Sequence, residues 1–176
     1  STIPPSSFLS LEGAEIVFNM SADNDCVGKH SYLRNLVKQQ SARCIAGYVF
    51  SSCGFGESTT DVVFAGTSII CDNGSIIAEG ERFAMDRRMT VGEIDVESIR
   101  NDRRVNTTFA ESRGLHSQQA VTINALPQTP SALNLTRTVN PLPFVPSDSN
   151  LDYYCEEIFA IQTTGLAQRF AHTHAE

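Results

Sequence analysis

The sequence predicts an α/β domain that opens with a parallel βαβ unit and continues as antiparallel strands. Three observations predict it. Residues 14–20 (AEIVFNM) and 44–51 (CIAGYVFS) are apolar runs of strand length. Between them Leu33, Leu36 and Val37 fall at helical spacing over about residues 30–43, and strand, helix, strand in so short a span implies parallel pairing through a crossover. Finally, Asp72-Asn73-Gly74 separates two short apolar runs, a hairpin signal because Asn-Gly accepts positive φ at little cost.

The remaining elements follow in order. Pro4-Pro5-Ser6-Ser7 is a turn leading into a short helix, with Ser6 or Ser7 as its cap and Gly13 as its stop. The unbroken apolar character of residues 14–20 predicts a strand buried on both faces. Gly54-Phe55-Gly56 breaks the pattern. Short strands are expected at 62–65, 68–71 and 75–79, and the alternation of TVGEIDV predicts another at 90–96. A short helix is expected over 97–104. Residues 105–150 are rich in Thr, Asn, Gln, Ser and Pro and predict an irregular connector, with strand character only at 120–126. Residues 151–171 predict a helix with Tyr154, Ile158, Ile161 and Leu166 on one face and Asp148 or Asn150 as cap. The expected organisation is therefore residues 1–104, a connector at 105–150, and a terminal helical piece at 151–176.

Bulk properties narrow the function. A chain of 176 residues buries roughly 70% of the surface its unfolded form exposes, enough for a real core. A net charge of −7 argues against nucleic acid as partner, since phosphate neutralisation needs a basic surface. No run approaches the length of a membrane-spanning helix, and no signal-peptide pattern opens the chain, so no membrane association is expected. The five cysteines, Cys26, Cys44, Cys53, Cys71 and Cys155, are odd in number and irregularly spaced, with no C-x-x-C pair. They read as reduced thiols of a cytoplasmic protein, and no zinc or other metal site is expected. The chain opens STIPPSS with no Met, which is expected of a processed protein or an excised piece.

Four stretches could carry chemistry. In SADNDCVGKH (21–30), Cys26 has Lys29 nearby to favour a thiolate, but Asp23 and Asp25 oppose it. His30 is the only local base; the other histidines are His116, His172 and His174. A loop cysteine without a catalytic role is the favoured reading. GFGESTTD (54–61) has the glycines and hydroxyls of a phosphate cradle but not the P-loop spacing, so a glycine-bearing turn with locally bonded hydroxyls is favoured. His172 and His174, two apart at a chain end, read as a tail rather than a chelate. Glu156 and Glu157 diverge by about 100° on a helix and read as a solvated face.

Taken together, IPPSSFLSLEGAEIVFNMSAD, VGKHSYLRNLVKQQSARC, AGYVFSSCGFGESTTDVVFAG and GSIIAEGERF resemble the nitrilase-like (carbon–nitrogen hydrolase) glutaminase domain of glutamine-dependent NAD⁺ synthetases. YYCEEIFAIQTTGLAQRF resembles the helix that opens the synthetase domain of that family. The similarity covers about residues 3–95 and 151–170. It implies a partial four-layer αββα sandwich, the C-terminal half of the glutaminase domain with its connector.

The resemblance also implies a chemistry. The family hydrolyses glutamine with a Cys, Glu, Lys triad and passes ammonia to a second domain. That domain uses ATP and Mg²⁺ to amidate nicotinic acid adenine dinucleotide to NAD⁺. The family's nucleophile falls just before residue 1 and its SGGxDS loop just after residue 176, so no catalytic residue is expected in this chain, and no cofactor. Cys26 is then not the nucleophile, and its loop becomes a wall of the glutamine pocket. Lys29 matches the family's basic position facing the substrate α-carboxylate. Asp23 falls where the family usually has Ser; it can accept from the α-ammonium and repels the carboxylate. Homo-oligomers are implied, and a half-sandwich would expose a strand edge and an apolar face, so self-association is expected. A stand-alone carbon–nitrogen hydrolase and a non-catalytic scaffold with a degenerate amidase fold are the alternatives.

Overall fold

The computed structural model describes residues 2–57, 61–113, 121, 123–126, 134–142, 145 and 151–173. Two units make up the chain, Ser1–Arg137 and Thr138–Glu176.

The first unit is built on a four-stranded mixed sheet. Helix α1 (Pro5–Leu11) leads into β1 (Ile16–Ser21), then α2 (Lys29–Cys44) and β2 (Gly47–Ser52). β1 and β2 are parallel, running in register from Ile16 opposite Gly47 to Ser21 opposite Ser52, as the βαβ pattern requires. β3 (Ser68–Asp72) pairs antiparallel with β2, and β4 (Ser75–Glu79) antiparallel with β3, giving the order β1-β2-β3-β4. Asn73 and Gly74 both take positive φ (43° and 86°) in the β3–β4 turn, the geometry that the Asn-Gly pair predicts.

One sheet face forms the core. Val17, Tyr48, Phe50, Ile69 and Cys71 pack with Val37 of α2, with Leu33 and Ile76 at the margin. The other face is only partly covered. Phe18 and Met20 of β1 are 72% and 90% exposed, which corrects the expectation that this strand is buried on both faces. Its apolar run is continuous, but only Val17 among its residues is buried, on the face that α2 covers.

The segment expected as a strand at 90–96 is no strand. It is extended and lies across the second sheet face, touching it with every other residue. Thr90 Oγ1 bonds Ser68 Oγ (2.6 Å), Gly92 sits over Ile70, Ile77 and Ala78, and Ile94 fills the space above Gly47. The Asp95 amide then donates to Asp72 Oδ2 (3.1 Å). Alternation thus reported a face-packed segment rather than a hydrogen-bonded ladder. Residues 62–65 likewise form no strand, although the Val63 carbonyl and the Ala65 amide are bonded to Asp25.

Other boundaries shift for local reasons. α1 begins with Pro4 as N-cap and Pro5 at the first helical position, where a missing N–H costs nothing; Ser6 is buried inside the helix rather than capping it. α2 runs on through Cys44, and Ile45 then takes a left-handed φ of 44°, so β2 starts at Gly47 and not at Cys44. Ala46 and Ile45 amides bond back to Ser41 and Ala42 carbonyls, closing the helix end.

α3 (Val96–Val105) matches the expected helix, capped by Asp95, whose side chain accepts from the Ser98 amide (2.9 Å). It docks through fully buried Ile99 and through Arg103, which donates to the carbonyls of Ala14 (2.7 Å), Cys44 (3.0 Å) and Ile45 (2.8 Å). Burial presses the Arg103 pKa down from its ordinary value, while Glu15 and Cys44 push the other way. Residues 105–150 were expected to be irregular, yet α4 (Thr107–Arg113) occupies their start. Asn106 accepts from the Phe109 amide, the Phe109 ring lies 4.9 Å from the Arg103 guanidinium, and Arg113 donates to the Leu11 carbonyl. The described residues among 120–126 show no strand.

The second unit contains α5 (Leu151–Thr173), longer than expected by two residues at its C-terminal end. Glu156, Glu157, Ile158, Ile161 and Leu166 are exposed on it, and Tyr153 and Tyr154 meet edge to face at 5.7 Å. The expected caps Asp148 and Asn150 lie outside the described residues, as does His174. Among the described residues no helix is long and apolar enough to cross a membrane.

Candidate functional site

In an open α/β sheet, ligands bind beyond the carboxyl ends of the parallel strands. Here that edge is the end of β1 and β2, and the loop 22–28 leaves it to enter α2. The structure brings Asp23 and Lys29 together there. Lys29 Nζ donates to Asp23 Oδ1 (2.6 Å) and to the Asn24 carbonyl (2.5 Å). The hydrogen bond that Lys29 donates to Asp23 holds the Lys29 pKa above its ordinary value; desolvation opposes, and Asp25 and Cys26 add to the rise.

This placement breaks a local rule. Lys29 is the first residue of α2, where a cation opposes the helix dipole, and no acidic residue stands in the first turn. Gly28 caps the helix with a φ of 83° and no side-chain bond. The result is a helix N-terminus with an ammonium group beside it, paired with the Asp23 carboxylate. An ammonium has three donors. Two are engaged among the described residues.

The loop is held from several sides. The Cys53 amide donates to the Ser21 carbonyl, the Asp23 amide to Ser52 Oγ, and the Asp25 amide to the Val63 carbonyl. The Asp25 carboxylate accepts from the Ala65 amide (3.0 Å) and from Arg82 Nη2 (2.6 Å). The sequence suggested Asp25 only as a brake on Cys26 ionisation; the fold turns it instead toward Arg82. Nothing local signals that pairing, because Arg82 lies far along the chain.

Cys26 is exposed, with Asn24 Nδ2 near its sulfur at 3.9 Å. His30, its expected local base, is engaged elsewhere: Nε2 contacts Glu79 Oε1 (2.9 Å), and Arg34 holds the other Glu79 oxygen (2.8 Å). All five cysteines are unpaired. In the 54–61 stretch the Glu57 amide turns back to the Gly54 carbonyl and Gly56 has a φ of 93°, while residues 58–60, which carry the expected hydroxyl bonding, lie outside the described residues. Among the described residues no cluster of three or more His, Cys, Asp or Glu could hold a metal. A cavity of about 550 Å³ opens on the second sheet face between Val49, Phe55, Met85 and Met89, and includes neither Asp23 nor Lys29.

The fold defines a class. The chain superposes on a carbon–nitrogen hydrolase from Helicobacter pylori with a TM-score of 0.50 at 18% identity, covering 62% of this chain and 41% of that one. This is a partial carbon–nitrogen hydrolase fold. The sequence names the relatives. The glutamine-dependent NAD(+) synthetase of Mycobacterium bovis is 37% identical over 95% of this chain, and that of Mycobacterium leprae 35%. The chain is homologous to glutamine-dependent NAD(+) synthetases, and it spans about a quarter of their length. No protein-family model matches it.

Proposed function

We propose that this chain is the C-terminal half of the glutaminase domain of a cytoplasmic glutamine-dependent NAD⁺ synthetase, with its connector and the first helix of the synthetase domain. The domain limits are residues 1–104, 105–150 and 151–176. The whole protein hydrolyses glutamine, and with ATP and Mg²⁺ uses the ammonia to amidate nicotinic acid adenine dinucleotide. The homology over nearly the full chain carries this reading.

Within it, Lys29 and Asp23 form a wall of the glutamine pocket. Lys29 donates to the substrate α-carboxylate, and Asp23 accepts from the α-ammonium. The contact of Lys29 Nζ with Asp23 Oδ1 (2.6 Å) supports this reading, since it puts a cation and an anion side by side at the carboxyl end of the parallel strands. None of the catalytic triad belongs to residues 1–176, so the isolated chain has no glutaminase activity.

The test is Lys29→Ala in the full-length protein. The KM for glutamine rises about tenfold or more, the loss of one charge-assisted bond, while synthesis from ammonia is spared. Equal loss with both nitrogen donors would contradict the pocket assignment.

A further inference from the structure

Asp25 is 16% exposed at its side chain and Arg82 24%, so their ion pair is largely shielded from water. Both Asp25 oxygens are occupied, one by Arg82 Nη2 and one by the Ala65 amide. Asp25 therefore has little left to offer a substrate. What it does is tie together three segments distant in sequence: the loop 22–28, the stretch 62–66 and the turn after β4. The third segment is itself fixed, since the Phe83 amide donates to the Ala65 carbonyl (2.7 Å) and the Arg82 guanidinium lies 4.7 Å from the Phe83 ring. Phe83 holds a φ of 62°, a conformation that a bulky residue keeps only where its surroundings impose it. Asp25 lies between Asp23 and Lys29, two residues after the one and four before the other. A carboxylate anchored on both oxygens at that point sets where the flanking pair stands.

We propose that Asp25 and Arg82 are a positioning pair: their ion pair fixes the loop so that Asp23 and Lys29 present their charges to glutamine. This rests on the reading of Lys29 and Asp23 as the glutamine site. A misplacement of about 1 Å at such a site costs up to about a hundredfold in rate or affinity.

The experiment uses full-length protein carrying Asp25→Asn, Arg82→Gln and the double change. The expected result is a rise of about tenfold in the glutamine KM for each single variant, with kcat from ammonia unchanged. The double variant is no worse than either single one, because the two residues act as a unit. Hydrogen exchange of the amides of residues 26–29, measured without glutamine, is about tenfold faster in each variant. Unchanged exchange would overturn the positioning role. Faster exchange with an unchanged glutamine KM would overturn it as well, since the loop would then move without consequence for substrate. Should Asp25→Asn lose ammonia-dependent synthesis through misfolding, Arg82→Lys keeps the charge and removes the guanidinium geometry, and the same two readouts decide. Failure of the underlying pocket reading is separately visible, as a Lys29→Ala variant whose glutamine KM does not change.

Discussion

Removing the Arg103 guanidinium should be among the most damaging single changes to the first unit. Arg103 reaches from α3 to the carbonyls of Ala14, Cys44 and Ile45, joining the entry of β1 to the end of α2. Those carbonyls flank the left-handed turn at Ile45, a β-branched residue in a conformation costing about 1–3 kcal/mol. Arg103→Met keeps the aliphatic stem and deletes the donors. Three bonds from a charged donor, at about 1.5 kcal/mol each, the low end for such bonds, give about 4–5 kcal/mol. Relief of the guanidinium's own desolvation returns about 1–2 kcal/mol of that. The expected loss is about 3 kcal/mol. For a chain of this length that is about 6–12 °C in Tm. Urea unfolding followed by circular dichroism measures it, with Arg104→Met as control. Among the described residues Arg104 bonds Asn101 on the exposed side of the same helix, so its change should stay within about 0.5 kcal/mol. An Arg103→Met variant as stable as the control would refute the clamp.

Two further predictions concern the sheet. Burial pushes the Cys71 thiol up to about 11 from an ordinary 9.0. A raised pKa gives stability that is complete below pH 9 and is lost as pH rises toward 11, so stability should fall by about 1.4 kcal/mol per pH unit across that window. Cys71→Val should remove this part of the slope in unfolding measured from pH 8 to 11, and an unaltered slope would refute the assignment. The bare second face at Phe18 and Met20 should drive self-association of the 176-residue chain. Sedimentation should show a mass above 19.2 kDa that rises with concentration, and Phe18→Ser with Met20→Ser should return it to monomer; a wild-type monomer would refute it.

The parts legible in the sequence were those written locally. The βαβ unit, the Asn73-Gly74 hairpin, and the helices α3 and α5 each follow from spacing or turn chemistry within one short window. The misreadings share one cause. Alternation at 90–95 reports which residues face something, not whether that something is a strand partner or a sheet face. The apolar run of β1 gives the strand but not what covers each side. α4 was hidden because Thr107 and Thr108 are poor helix formers; its start depends on the Asn106 cap and on Phe109 packing against Arg103. At the site, Lys29 and Asp23 came from the family resemblance, and their contact was added by the fold. Asp25 with Arg82, and His30 with Glu79, are pairings across long sequence separations that no local pattern encodes.

The most direct test follows the nitrogen. Full-length protein would be given ATP, Mg²⁺, nicotinic acid adenine dinucleotide and glutamine labelled with ¹⁵N at its side-chain amide. The account predicts NAD⁺ carrying the label in its carboxamide, and loss of that transfer at low glutamine in Lys29→Ala while unlabelled ammonia still supports synthesis. NAD⁺ that forms only from free ammonia, or no NAD⁺ at all, would contradict it.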